Sequence, residues 1–203
     1  MNERSVVAPS RANEAAILDA ALTAFGTLGF HGASMREVAR GAGTSLSNLY
    51  NYFPSKAHLL AEVLRHANAE LADRLARAVA EAGDDASSRM REAVRAYVGY
   101  VVDHQLAMVV STAEVRYLRG DERDRLVAGR DENEALFTRI VEQGVASGEF
   151  RSPYAADATR AILSTISAIA LWYRPDGRLS RGQLAEQHAR YALALLEAPL
   201  PRP

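Results

Sequence analysis

The chain has 203 residues, enough for one large domain or two small ones, and 48% of them are hydrophobic, ample for a packed core. With 24 basic against 25 acidic residues the formal charge is −1, so no global basic field advertises a nucleic-acid partner, and the absence of cysteine excludes disulfides and thiol chemistry. The opening "MNERSVVAPSRANEAA" lacks the apolar core of a secretory signal, and the apolar run 161–173 is well short of the ~20 residues of a spanning helix, so a soluble, cytoplasmic protein with no membrane partner is expected.

Ile17, Leu18, Ala21, Leu22 and Phe25 share one face of a first helix, which Gly26 and Gly29 are expected to close. "SMRE", 34–37, is a capping box, with Ser34 capping and Glu37 reaching back. It opens a short second helix carrying Met35, Val38, Ala39 and Ala42, stopped by Gly43. Thr44 or Ser45 caps a third, with Leu46, Leu49, Tyr50 and Phe53 on one side, and Pro54 ends it. Ser55 starts a long fourth helix that runs to Gly83 and carries His58 and His66 on an exposed face. Met90, Val94, Tyr97, Val98 and Val101 mark a fifth, and a sixth is expected from Leu106 to Leu118, broken by Gly120. The seventh runs from about Glu122 to Gly148, a C′ glycine with Phe150 as its hydrophobic partner. Inside it, Gly144 costs about 1 kcal/mol relative to alanine and argues against continuity. An eighth helix covers Ala155–Tyr173, "RPDGRLS" is a turn, and a ninth spans Arg181–Glu197 before a proline-rich tail. No strand pattern appears, so the expected class is all-α with about nine helices.

Two short helices joined by "AGTS", braced by a preceding helix, follow the plan of a helix-turn-helix, whose second helix enters the major groove of duplex DNA. From Gly41 to Ser55 there is no charged side chain, and the only lysine, Lys56, follows at once. Hydroxyls and amides suit such a surface, because phosphates accept from them as well as from cations. Ser45, Ser47, Asn48 and Asn51 are short enough to let the helix sit close to base edges, and asparagine pairs bidentately with adenine. Tyr50 and Tyr52 point to different sides and can grip separate points of one backbone, with Lys56 as a point charge at the rim. Residues 1–60 carry a net charge of only +1, so a small salt slope per subunit is expected. The competing reading is an ordinary all-α opening in which the tyrosines are filler.

"AAILDAALTAFGTLGFHGASMREVARGAGTSLSNLYNYFPSKAHLLAEVL", 15–64, closely resembles the N-terminal domain of tetracycline-repressor-like (TetR family) regulators. The family elements stand at Ile17–Ala21, Phe25, Gly29, Ser34, Val38–Ala39, Ala42–Ser45, Leu49–Phe53 and Ser55–Leu59. Three positions depart from the pattern. Thr44 replaces a usual valine, and Glu14 stands where an arginine is common, a phosphate contact that Arg11 can supply instead. Leu46 begins the recognition helix where a polar residue is frequent, and it either packs with Leu49 and Phe53 or meets a thymine methyl. The resemblance implies an all-α homodimer on a double-stranded operator, with a DNA-binding domain over 1–56 and an effector-binding and dimerisation domain over 57–203. The DNA contacts it implies, together with the spacing above, are Ser34, Arg36, Thr44, Ser45, Leu46, Ser47, Asn48, Tyr50, Asn51, Tyr52 and Lys56. Dimerisation falls to the last two helices. There 161–173 is uncharged, and Ala161, Ser164, Thr165, Ser167 and Ala168 are small enough for close approach, while Tyr191, Leu195 and Leu196 offer a face on the ninth. The alternative is that both helices merely pack inside one subunit.

A small-molecule effector is the remaining partner. Candidate pocket residues are Met90, Tyr97, Tyr100, Val101, His104, Met108, Tyr117, Phe137 and Trp172, although an aromatic stripe at helical spacing is usually packing. Segments 136–151 and 171–180 resemble a subset of the family that answers to acyl-coenzyme A thioesters, which would bring Arg139 and Arg174 to thioester phosphates. The alternative is a repressor of an efflux system responding to lipophilic drugs, whose cationic ligands want a buried acid among aromatics, Glu114 near Tyr117 being the candidate. The five histidines show no ligand spacing, and there is no phosphate loop, nucleophile elbow or clustered acid pair, so no metal, cofactor or catalytic residue is expected.

Overall fold

The computed structural model describes residues 11–198, apart from the side chains of Arg11 and Ala12; the alternative phosphate contact assigned to Arg11 and the end of the proline-rich tail lie outside what is described. Nine α-helices occur among these residues: α1 (Arg11–Gly32), α2 (Met35–Gly41), α3 (Leu46–Tyr52), α4 (Lys56–Glu81), α5 (Ala86–Asp103), α6 (Gln105–Ala113), α7 (Gly120–Ser147), α8 (Ala155–Trp172) and α9 (Arg181–Leu195). The all-α class read from the pattern is the one found.

Two expectations are corrected, and the continuity of the seventh helix is found as read. Helix α1 is not closed by Gly26; Gly29, with a non-helical φ of 69°, does break it as read, and a kinked last turn runs on to Gly32. Gly26 is instead a site of close approach, since a Cβ there would lie 2.2 Å from Leu106 Cδ1 on α6. The sixth helix does not reach Leu118. It ends at Ala113, and a single 3₁₀ turn, Val115–Tyr117, follows. Gly144 does not interrupt α7, because the missing Cβ makes room for the Phe150 ring, whose Cδ2 would stand 2.2 Å from it. That ring is held there by the helix end, where the Gly148 amide donates to Val145 O at 3.1 Å and the Phe150 amide to Gly144 O at 2.9 Å. Gly144→Ala is expected to lower stability by about 1–2 kcal/mol in thermal or urea melts, the ring overlap outweighing the gain in helix propensity.

The molecule has two apolar cores. The first gathers Ile17, Phe25, Val38, Leu49, Phe53, Leu59 and Leu64, and it also takes in Val110, Leu118 and Leu126 from much later in the chain. The second is built around α5, with Met90, Val94 and Val98 against Leu75, Phe137, Ile162, Ile166 and Leu184. Helix α4 joins the two cores, since Leu59, Leu60 and Leu64 in its first turns serve the first and Leu71 and Leu75 in its later turns serve the second.

Candidate DNA interface and ligand cavity

The turn between α2 and α3 is a complete Schellman motif. Thr44 N donates to Ala39 O at 2.9 Å and Gly43 N to Arg40 O at 3.2 Å. Gly43 takes φ 64°, a conformation in which a side chain would be strained. Of the two cap candidates Ser45 is the one used, accepting from Asn48 N at 3.0 Å, while Asn48 Nδ2 donates to Thr44 Oγ1 at 2.8 Å. These bonds fix α3 on α2 before any DNA arrives. Leu49 is fully buried, worth about 1.5–3 kcal/mol, and Leu46 and Tyr52 pack half-buried against the same core. The outer face of α3 presents Ser47, Tyr50 and Asn51, and Arg36 is exposed on α2.

Not all the named contacts are equally available. Ser34 Oγ is engaged by Glu37, donating to Oε2 at 2.7 Å and accepting from Glu37 N at 3.2 Å. The Ser34 hydroxyl and the Ser34 amide, which donates to the same Oε2 at 2.9 Å, hold the Glu37 carboxyl below the usual carboxylate range. Lys56 is turned inward: Nζ donates to Ala33 O at 2.9 Å and sits 4.6 Å from the centre of the Phe30 ring. It neutralises the carbonyl end of α1 and braces the domain. Asn51 is exposed, whereas the Asn48 amide is already committed to Thr44, so Asn51 is the better placed to read a base. Asn51→Ala should shift the preferred base by about 1–3 kcal/mol, whereas Tyr50→Phe should weaken every operator variant alike by about 1 kcal/mol. Titrations against single-base variants of one operator separate the two outcomes.

The C-terminal helices grip this domain at the kink of α1. Glu114, buried at the end of α6, accepts from Phe30 N at 2.9 Å. Tyr117 stacks on Phe30 at 4.9 Å and meets His31 edge-on at 4.6 Å. His58, placed on an exposed helix face from its spacing, is half-buried and lies 3.3 Å from Glu122 at the start of α7.

Between α4, α5, α6, α7 and α8 lies a cavity of about 290 Å³. Its apolar wall is Ala67, Leu71, Ala107, Met108 and Leu163. Its polar wall includes Tyr97, whose hydroxyl is 3.1 Å from Ser167 Oγ, and Tyr100, which donates to Ala67 O at 2.7 Å. Burial pushes both phenols up, so they are neutral hydrogen-bonding groups. Asn133 Nδ2 donates to Asn68 Oδ1 at 2.8 Å across the α4–α7 seam. Arg130 completes the lining; its Nη2 donates to Ser111 O at 2.6 Å and to Ser111 Oγ at 2.7 Å. Burial pulls its pKa down, with Tyr97 opposing.

Of the pocket residues named from sequence, Tyr97, Tyr100 and Met108 line this cavity. The others do not. Met90, Val101 and Phe137 are buried in the second core. His104 backs Tyr100, stacking on it at 4.5 Å, with Nε2 2.9 Å from Arg74 Nη2. Glu114 and Tyr117 belong to the junction with α1. Arg139 is exposed on α7, Trp172 is 51% exposed at the end of α8, and Arg174 pairs on the surface with Asp176 at 3.6 Å. The polar lining residues Asn68, Ser111, Arg130, Asn133 and Ser167 went unnamed as pocket residues. A signal for three of them was present: Leu64, Asn68, Leu71 and Leu75 keep one register on α4, and Leu126, Arg130, Asn133 and Phe137 keep one on α7. A polar residue at a core register is either a defect or a lining.

On α8, Ala161, Ser164, Thr165 and Trp172 lie exposed along one stripe with the half-buried Ala168, while Ser167 turns inward to the cavity. On α9, Tyr191, Ala194 and Leu195 are exposed, whereas Leu196 is buried.

A preorganised helix-turn-helix with a polar outer face, carried on a helical body that encloses a ligand-sized cavity, defines a ligand-responsive DNA-binding regulator. Similarity to known proteins agrees. Residues 17–63 match the family of bacterial regulatory proteins described as tetR, and residues 83–196 match the tetracyclin repressor-like C-terminal domain. The chain belongs to the TetR family of transcriptional regulators. It is 28% identical over 185 residues to the HTH-type transcriptional repressor KstR2 of Rhodococcus jostii, covering 90% of each chain. Its fold resembles a tetR-family regulatory protein from Rhodococcus RHA1 (TM-score 0.86, 24% identity, 95% of this chain and 100% of that one). It also resembles the TetR-family regulator PfmR of Thermus thermophilus (TM-score 0.79, 28% identity, 91% and 99%).

Proposed function

We propose that the protein is a cytoplasmic repressor that holds a palindromic operator as a homodimer and is released when a small acidic, partly apolar effector, an acyl thioester among them, enters the cavity. The observation that carries this reading is the double duty of α6. Ala107, Met108, Ser111 and Thr112 face the cavity, while Leu106, Val110 and Glu114 hold α1 and the DNA-binding core. A ligand that displaces α6 thus acts on the helix that carries the recognition element. Release requires that it prefer the DNA-incompetent arrangement, since equal affinity for both shifts nothing. The homodimer rests on the exposed stripe of α8 and the exposed residues of α9. The DNA contacts are assigned to Arg36, Ser47, Tyr50 and Asn51, with Ser34, Thr44, Ser45, Leu46, Asn48, Tyr52 and Lys56 shaping and bracing that surface.

The cationic-drug alternative is disfavoured, because Glu114 is occupied by the Phe30 amide outside the cavity and the acid that does line it, Glu134, is exposed. Arg139 and Arg174 are exposed and absent from the lining, which argues against them as thioester anchors. The deciding experiment is operator release titrated with acyl thioesters, free acids and lipophilic cations. Release by acids or thioesters is expected; release by cations alone would refute the assignment.

A further inference from the structure

We propose that Arg130 is an anion anchor, and that the ligand entering the cavity carries a carboxylate at its inserted end on an apolar body. This rests on the reading of the cavity as the effector site and narrows it to a chemical class. Among the described residues Arg130 forms no ion pair, whereas Arg65, Arg74, Arg89, Arg95 and Arg181 each hold a carboxylate. Its partner is Ser111, and both bonds use Nη2, so Nη1 and Nε have no described acceptor. Arg130 is half-buried at the cavity wall, and a planar carboxylate can meet two of its N–H groups at once. Glu134, one turn along α7, is the nearest acid in sequence on that face, yet it is exposed and makes no ion pair with Arg130.

The rest of the lining fits the same ligand. Tyr97 and Ser167 can donate beside the anion, while Leu71, Met108 and Leu163 take an apolar body. A volume of about 290 Å³ is at the small end of ligand sites, roughly 300–1,000 Å³, so a coenzyme A thioester would insert only its acyl end and leave its nucleotide outside. Two sources supply the required chemistry: a free organic acid, or a thioester whose acyl chain ends in a second carboxylate.

The test is calorimetric titration of the full-length protein, without DNA, using octanoate, octanamide, octanoyl-coenzyme A and suberyl-coenzyme A. Octanoate or suberyl-coenzyme A is expected to bind at least about 10-fold more tightly than its counterpart with a neutral inserted end, octanamide or octanoyl-coenzyme A. Arg130→Gln should erase that preference and Arg130→Lys should keep part of it. The comparison of acid with amide on the unsubstituted protein needs no variant, so misfolding of Arg130→Gln cannot blur it. Equal binding of charged and neutral ends, no binding of either carboxylate probe, or a preference that survives Arg130→Gln would each overturn the proposal. Operator release by suberyl-coenzyme A to the same extent in Arg130→Gln would overturn it while leaving the repressor reading intact. Carboxylate binding that never releases an operator would do the reverse.

Discussion

A protein carrying Trp172→Glu and Leu195→Glu is expected to be a folded monomer that has lost operator binding. Trp172 is 51% exposed and Leu195 43%, so neither substitution removes much packing inside the subunit, where exposed changes usually stay within about 0.5 kcal/mol. In a dimer joined through α8 and α9 the same two positions are covered, and each new carboxylate must be desolvated without a partner, costing several kcal/mol per subunit. Ala168→Glu is a less clean probe, because Ala168 is half-buried and its substitution also disturbs the subunit's own packing. Separation of the subunits removes the second recognition helix from the palindrome, so apparent operator affinity should fall by about 10²–10⁴-fold. Sedimentation gives the mass, circular dichroism the fold and titration the affinity. A dimer of normal mass would place the interface elsewhere on the molecule.

Glu114→Leu is expected to separate ligand binding from DNA release. The substitution removes the acceptor of the half-buried Phe30 amide at the kink of α1, at a cost of about 1 kcal/mol. It also cuts the direct polar link between the end of α6 and α1, while every residue lining the cavity stays in place. Effector affinity measured without DNA should therefore be nearly unchanged, the melting temperature should drop, and the effector should release the operator far less completely. Glu114→Gln keeps an oxygen for the Phe30 amide and should behave close to the unsubstituted protein. If Glu114→Leu responds to effector as before, the coupling runs through the remaining contacts, those of Leu106 and Val110 and the Tyr117 ring on Phe30 among them.

The local plan of the DNA-binding half was legible because its determinants are local. The Ser34–Glu37 capping box, the glycine at 43, the serine caps at 45 and 55 and the stop at Pro54 each act within four residues, and the structure places them as read. Helical periodicity likewise predicted the class and most helix bounds. What sequence distance hid was the partner of each residue. Gly26 read as a break and Gly144 as a mere cost inside its helix, because a glycine that ends or weakens a helix and one that admits Leu106 or Phe150 look identical until the neighbour is known. Lys56 read as a point charge at the rim, and its place in the sequence did not show the Ala33 carbonyl just past α1 and the Phe30 ring that face its ammonium.

The cavity shows the same division. Tyr97, Tyr100 and Met108 were nameable from an amphipathic stripe, but the stripe could not say that Met90, Val101 and Phe137 bury into solid core. Which apolar residues line a space and which fill it depends on how five helices meet, and that is set by packing rather than by any one helix's pattern. Arg130 and Asn133 stood in core register on α7, a visible anomaly whose meaning came only when α4, α5, α6 and α8 closed around them. The helices, their caps and the helix-turn-helix follow from the chain alone, because short-range hydrogen bonds and hydrophobic period suffice for those. Assigning Glu114 to the α1 junction and Arg130 to the cavity took the packing of remote helices, because a charge withdrawn from water takes its role from groups distant in the chain.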